Sequence, residues 1–144
     1  MTPEAAKAAD AILVSKDQLF EQADILTIHL VLSSRTRGLV GAAELERMKP
    51  TAWLINAARG PIVEEQAFIS VLKNKQIAGA AIDVFDIEPL PPSHPFRTLD
   101  NVLATPHIGY VSRDLYKTFY EDTVSNIRKW LDTHSAVVAS TKID

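Results

Sequence analysis

Three short apolar runs in this chain each end in a turn that carries a polar side chain. The polar residues are Arg59, Glu88 and His107, and each lies within three residues of the end of its run. Such runs are typical of buried strands in a parallel sheet, and ligands bind at the carboxyl ends of those strands. A cation, a carboxylate and an imidazole gathered at that edge could bind an anionic substrate and move a proton at neutral pH.

The spacing of apolar residues predicts helices that alternate with strands. Helices are predicted over residues 3–10, 16–22, 42–48, 64–74 and 113–131. Strands are predicted over residues 11–14, 24–30, 52–56, 78–85 and 102–105. The alternation implies right-handed crossovers, so the expected fold class is α/β, a parallel sheet with flanking helices. The β-branched residues in the run over 24–30 favour a sheet that is covered on both faces.

Local patterns also predict the surroundings of individual side chains. Leu19 and Phe20 of the second helix are expected to face inward, and Trp53 and Trp130 are expected to lie in the core. His94, inside a proline-rich loop, is expected to face solvent. Residues 1–134 are expected to form the domain, and residues 135–144 are expected to be a flexible tail.

Composition narrows the class of protein. With 144 residues, 47% of them hydrophobic and 23% charged, the chain is expected to form a globular domain with a real core. A formal net charge of -3 argues against a nucleic-acid partner, and the lack of cysteine excludes disulfides and thiolate chemistry. We expect no membrane segment, no signal peptide and a cytoplasmic location. No spacing such as His-x-x-x-His is present, so no metal is predicted.

A series of motifs, in order along residues 2–134, resembles the NAD-binding domain of the D-isomer-specific 2-hydroxyacid dehydrogenases. They are Thr-Arg-Gly-Leu-Val at 36–40, Met-Lys-Pro at 48–50, Asn-Ala-Ala-Arg-Gly-Pro-Ile-Val-Glu-Glu at 56–65, Gly-Ala-Ala-Ile-Asp-Val-Phe at 79–85, Glu-Pro-Leu-Pro at 88–91 and Asn-Val-Leu-Ala-Thr-Pro-His-Ile-Gly at 101–109. The resemblance implies a Rossmann-like sheet and an NAD(P)-dependent oxidoreductase that acts on the CH-OH group. Its cofactor would be NAD or NADP, and its partner a small 2-oxo or 2-hydroxy acid.

The resemblance also implies roles for single residues. Arg59 would hold the carboxylate and carbonyl of the substrate, His107 would be the general acid or base, and Glu88 would pair with His107. The residues implied to contact the cofactor are His29, Thr36, Asn56, Ala57, Arg59, Asp83, His107 and Gly109. The chemistry agrees with these roles, because a guanidinium fork matches a 2-oxo acid and a carboxylate favours a protonated imidazole beside it.

Plainer interpretations stay open for four of these residues. His107 could cap the last helix, Glu88 could be an exposed turn carboxylate, Asp83 could cap a strand end, and His29 could be a structural residue. The resemblance alone chooses the functional interpretation of each.

The family's Gly-x-Gly-x-x-Gly turn is not formed by any of the five glycines, and the family's substrate domain has no counterpart here. We therefore expect an incomplete Rossmann sheet, lacking the family's first two strands. The strands over 11–14 and 24–30 would then lose their partners, leaving a chain that is marginally stable, self-associated through exposed strand edges, or rearranged by pairing those two strands. We expect a truncated form of weak or no activity. The alternatives are a non-catalytic remnant or interaction module and a nucleotide-binding corepressor.

Overall fold

The computed structural model describes residues 2–138, which form two compact units that divide after Gly109. The elements of the first unit are α1 (Pro3–Ala8), α2 (Lys16–Gln22), β1 (Ile25–Ile28), α3 (Ala42–Leu45), β2 (Trp53–Asn56), a 3₁₀ turn (Gly60–Ile62), α4 (Glu65–Lys73), β3 (Gly79–Ile82), a second 3₁₀ turn (Pro95–Arg97) and β4 (Val102–Ala104). The second unit contains α5 (Arg113–Val138).

The strands form one parallel sheet in the order β1-β2-β3-β4. In one row across it, Leu26 pairs with Leu54, Leu54 with Ala80, and Ala80 with Val102. Helices or 3₁₀ turns separate successive strands, as parallel pairing requires. The predicted α/β class and Rossmann-like parallel sheet are confirmed. The carboxyl ends of all four strands lie at one edge, where the candidate site is found.

The core lies on one face of the sheet. Leu54 is fully buried in an apolar cluster that includes Leu45 of α3 and Leu72 of α4. Residues that alternate with this set are exposed, including Ile25 and Trp53. The expectation of a sheet covered on both faces is therefore wrong within the first unit. Successive side chains on a strand point to opposite faces, and within the first unit only one of the two faces meets the apolar cluster.

The segment over residues 11–14 is not a strand, although its sequence is apolar. Ile12 is 89% exposed, and within the described residues β1 hydrogen-bonds to β2 alone. The sheet therefore has four strands instead of five, and the suggested direct pairing of residues 11–14 with β1 is wrong. An extended segment with no neighbouring ladder gains nothing from strand geometry, because its backbone groups are satisfied equally well by water.

The first two helices begin at the residues that the sequence predicts. Thr2 caps α1, and Ser15 caps α2 in a reciprocal capping box with Gln18. Phe20 is buried as predicted, but Leu19 is half exposed, so its predicted inward position is wrong. Neighbouring residues on a helix point about 100° apart, and α2 presents only a narrow face to the core.

Helix α5 runs to Val138, beyond the predicted end near residue 131, with one departure from helical dihedral angles at His134. Residues 135–138 of the predicted tail are therefore helical, and residues 139–144 lie outside the described residues. Trp130 on α5 and Trp53 on β2 are both about half exposed, so their predicted core positions are wrong. Each of these apolar side chains lies on a face of its strand or helix that is partly exposed to solvent. Across residues 2–138, we find no helix with both the length and the apolar character needed to cross a bilayer.

Candidate active site at the carboxyl edge of the sheet

The turn after β4 places His107 against Glu88. Nδ1 of His107 lies 2.7 Å from Oε2 of Glu88, and each side chain is a little over one third exposed. The other carboxylate oxygen, Oε1, accepts a hydrogen bond from the backbone N–H of Phe85 at 2.9 Å. Because an ionised carboxylate can only accept, Nδ1 of His107 carries the hydrogen between them. This arrangement leaves Nε2 as the ring nitrogen whose protonation changes between acid and base forms.

The surroundings of Glu88 keep it ionised. Partial burial acts to raise the pKa of Glu88, but hydrogen bonds from His107 and from the Phe85 N–H lower it. The positive charges of His107 and Arg59 lower the pKa further, so it lies below the ordinary value of 4.5. The charge of Arg59 therefore reaches the same carboxylate that holds His107.

Arg59 sits on a loop that is closely packed behind it. The buried side chain of Asn56 accepts a hydrogen bond from the Ala58 N–H (3.1 Å) and donates one to the Arg59 carbonyl (3.0 Å). Gly60 lies so close to the backbone of Phe85 that a β-carbon on it would collide. The exposed guanidinium donates from Nη1 to the Ala58 carbonyl at 2.6 Å. The loop is thus held against the segment that leads to Glu88.

Replacing Arg59 with alanine should raise the pKa of Glu88, because it removes one of the positive charges that lower this pKa. A carboxyl with a lowered pKa stabilises the fold above its unfolded pKa, and that contribution is lost as pH falls through the folded pKa. In the variant the contribution of Glu88 to stability should therefore be smaller, and its loss should be complete at a higher pH. A carboxyl ¹³C NMR titration measures the shift directly. Arg35→Ala is the matched control and should leave the pKa of Glu88 unchanged. If Arg59→Ala also leaves this pKa unchanged, the charge of Arg59 does not act on Glu88.

Asp83 lies just past β3 and is only 8% exposed. Its Oδ1 accepts hydrogen bonds from Thr105 Oγ1 (2.5 Å) and from the Ile108 N–H (2.9 Å). Its Oδ2 accepts one from the Gly109 N–H (2.8 Å). Burial acts to raise the pKa of Asp83, but these three hydrogen bonds and the charge of His107 bring it below its ordinary value. Both oxygens therefore bind the turn that carries His107.

The other residues predicted to contact a cofactor lie at or after the ends of β1 and β2 and have different partners. His29 follows β1, is exposed, and has Nε2 3.0 Å from Thr27 Oγ1. Thr36 donates to the Val31 carbonyl (2.7 Å) and accepts from the Ser33 N–H (2.8 Å), so it serves its own loop. Asn56 likewise serves its own loop. Ala57 is exposed directly after β2. Cofactor contact by these residues, and by Asp83, Arg59, His107 and Gly109, stays a prediction.

A cavity of about 690 Å³ opens beside the Glu88–His107 pair. Its walls are mainly apolar and include Leu90, Phe96 and Leu103. The volume lies within the range of small-molecule sites. The cavity is therefore lined by Glu88 and His107, whereas Arg59 is not part of its lining.

His94 does not face solvent, and that prediction is wrong. Its Nδ1 accepts from the Phe96 N–H (3.2 Å), its ring packs at a tilt against that of Phe96, and Nε2 lies 3.3 Å from Glu65. The following Pro95 and the 3₁₀ turn are the local signal for this capping role. Arg97, which the sequence did not single out, donates to the carbonyls of Pro91 (2.9 Å) and Leu90 (2.5 Å) and fixes the loop after Glu88. Its partners six and seven residues away give no local signal.

Within the described part of the chain, no three His, Cys, Asp or Glu residues come close enough to hold a metal ion.

Comparison with known proteins connects this geometry to a family. Residues 1–109 match the family model described as D-isomer specific 2-hydroxyacid dehydrogenase, NAD binding domain. The glyoxylate reductase of Thermofilum pendens is 44% identical over 111 residues, covering 77% of this chain and 33% of the relative. The chain therefore spans about a third of the length of the curated relatives it matches.

Solved structures agree with the family match. The phosphoglycerate oxidoreductase of Vibrio cholerae O395 superposes with a TM-score of 0.82 at 34% identity, covering 90% of this chain and 42% of that one. A D-isomer specific 2-hydroxyacid dehydrogenase from Xanthobacter autotrophicus Py2, solved with NADPH and MES, has a TM-score of 0.62 at 42% identity, covering 64% of this chain and 29% of that one.

Proposed function

This chain belongs to the D-isomer-specific 2-hydroxyacid dehydrogenase family, and we propose that its site serves hydride transfer between a nicotinamide cofactor and a small 2-oxo or 2-hydroxy acid. The observation that carries the proposal is the 2.7 Å contact between His107 and Glu88, with the charge of Arg59 acting on the same carboxylate. A relative named glyoxylate reductase supports a small 2-oxo acid as the substrate.

Arg59 binds the carboxylate of the substrate. Its guanidinium has five N–H donors in a planar fork, and the hydrogen bond to the Ala58 carbonyl uses only Nη1. Fork geometry allows two parallel hydrogen bonds to one carboxylate, which fixes the orientation of the acid as well as its position. The side chain is exposed, so an anion reaches it from solvent.

His107 exchanges the proton at the oxygen on carbon 2. With Nδ1–H donated to Glu88, the protonated ring presents Nε2–H as an acid during reduction, and the neutral ring presents Nε2 as a base during oxidation. Glu88 holds the ring orientation and stabilises the imidazolium, because its carboxylate stays ionised at neutral pH. Positioned acid–base groups of this kind contribute about 10²–10⁴-fold to rate.

NAD or NADP, when bound, supplies the hydride chemistry. The residues at the strand ends fit its nicotinamide end, because Ala57 and Ala58 have small side chains that let a flat ring approach the backbone after β2. His29, Arg59, His107 and Gly109 would hold that end. Among the glycines of the chain, Gly38 and Gly41 come nearest to a phosphate loop, but they do not form Gly-x-Gly-x-x-Gly. We therefore expect binding and turnover by the isolated chain to be weak.

The test is a pair of measurements on the purified chain. NADH at about a hundred times its dissociation constant should stabilise the fold by roughly 2.7 kcal/mol, which raises the thermal midpoint. Consumption of NADH with glyoxylate, followed by absorbance, then measures turnover. Omission of glyoxylate is the control for slow oxidation of NADH. The proposal fails for this chain if NADH neither shifts the midpoint nor is consumed.

A second candidate, an interaction module, is favoured by the exposed edge of the sheet. Ile25 of β1 is 66% exposed, and in residues 2–138 the outer edge of this strand has no strand beside it. Such an edge is a template for a strand from another chain. We propose self-association through β1, which sedimentation velocity measures as a function of concentration. Ile25→Lys should weaken it, whereas Ile12→Lys, which lies outside the sheet and is 89% exposed, should not.

A further inference from the structure

We propose that Asp83 is the positioning residue of His107: its carboxylate binds the backbone and side chain of the turn on both sides of His107 and so presents the imidazole to Glu88. This inference rests on the proposed function, because it assigns the source of the geometry that the proton transfer needs. It differs from the cofactor contact that the resemblance implies for Asp83.

The hydrogen bonds of Asp83 surround His107 in the sequence. Thr105 lies two residues before His107, and Ile108 and Gly109 follow it directly. All three donors lie within 2.9 Å of a carboxylate that is almost fully buried. Charged acceptors make stronger hydrogen bonds than neutral ones, and little water competes for these bonds at a buried carboxylate. The turn is therefore anchored to the end of β3 at both of its ends.

The backbone of His107 needs such an anchor. His107 has φ of +56°, in the left-handed region that residues with a β-carbon rarely adopt. A strained residue keeps such a conformation only where its surroundings determine it. The backbone N–H of His107 also donates to the Thr105 carbonyl at 3.1 Å, which tightens the turn. The same conformation brings Nδ1 to 2.7 Å from Glu88.

Gly109 completes the arrangement. A β-carbon added at Gly109 would lie 3.0 Å from Asp83 Oδ2, closer than ordinary packing allows. Glycine therefore permits the short hydrogen bond from the Gly109 N–H to that oxygen (2.8 Å). The Pro-His-Ile-Gly turn and Asp83 fit one another as a unit.

Asp83→Asn tests the proposal, because it keeps the shape of the side chain and replaces one acceptor by an NH₂ group that faces the Gly109 N–H. Amide hydrogen exchange at Ile108 and Gly109 should become about tenfold faster or more, as expected when a hydrogen bond to a charged group is lost. The ¹⁵N shifts of His107 should move from the Nδ1–H tautomer toward a mixture. Exchange at Leu54 in the core of β2 should stay unchanged.

Two variants keep the test decisive. Asp86→Asn is the matched control, since the Asp86 carboxylate makes none of the three hydrogen bonds, and it should leave exchange at the turn unchanged. If Asp83→Asn does not fold, Thr105→Val removes a single donor to Oδ1 and should produce a smaller change in the same two signals. Unchanged exchange at Ile108 and Gly109, or an unchanged His107 tautomer, would overturn the proposal.

These signals need neither cofactor nor substrate, so their outcome is separate from that of the proposed function. The exchange and tautomer results can agree with positioning while the chain shows no turnover, which would contradict the proposed function alone. In an active chain, Asp83→Asn should lower kcat and leave KM for the 2-oxo acid and the NADH-induced rise in midpoint nearly unchanged. Loss of the NADH-induced rise would instead assign Asp83 to cofactor binding and overturn the positioning role.

Discussion

Replacing His107 with asparagine should lower kcat/KM for 2-oxo acid reduction by about 10²–10⁴-fold, the usual contribution of a positioned acid–base group. Asparagine suits the comparison because it tolerates the left-handed backbone that His107 adopts (φ +56°). The variant therefore removes the titratable ring and its contact with Glu88 while the turn keeps its conformation. Initial rates with NADH and glyoxylate give the ratio.

The control for this experiment is His134→Asn, which removes an exposed imidazole from α5 and should leave the rate unchanged. Thermal melts of both variants should show midpoints close to that of the unmodified chain, so that a lost rate is not a lost fold. A His107→Asn variant that retains more than about a tenth of the rate would contradict the assigned role, since the expected loss is at least a hundredfold.

Replacing Gly60 with alanine should destabilise the fold by about 3 kcal/mol, the upper end of the usual cost of forcing extra atoms into a packed interior. A β-carbon at Gly60 would lie 2.6 Å from the Asp86 backbone nitrogen and closer still to the carbonyl group of Phe85. These are backbone atoms, so no side-chain rotation can relieve the overlap. The loop that carries Arg59 would have to move away from the segment that leads to Glu88. Urea unfolding followed by circular dichroism measures the free energy of unfolding.

Gly41→Ala provides the matched control. Its added β-carbon would meet only the side-chain oxygens of Glu64 (3.2 Å) and Glu44 (3.6 Å), which can move aside. We expect a loss below about 1 kcal/mol there. The displacement of Arg59 in Gly60→Ala should also raise the pKa of Glu88, as in Arg59→Ala. A loss below about 0.5 kcal/mol for Gly60→Ala would show that the two loops are not closely packed.

The sequence by itself determined the features that depend on neighbouring residues. Apolar periodicity identified β1 to β4 in order, and the capping residues Thr2 and Ser15 set the starts of α1 and α2. The parallel arrangement followed from the alternation of helices and strands, and it placed Glu88 and His107 at one edge before any distance was known. These conclusions held because hydrogen bonding in a helix and alternation in a strand are local.

The tertiary structure alone decided what each residue contacts across the chain. Apolarity suggested a strand over residues 11–14 and a core position for Trp53, but both depend on elements that must pack from elsewhere. Asp83 looked like one more polar strand end, and only the fold shows that its oxygens bind a turn more than 20 residues away. Burial and long-range hydrogen bonds each require two segments that are distant in the sequence. The residue pattern of one segment alone therefore does not determine them.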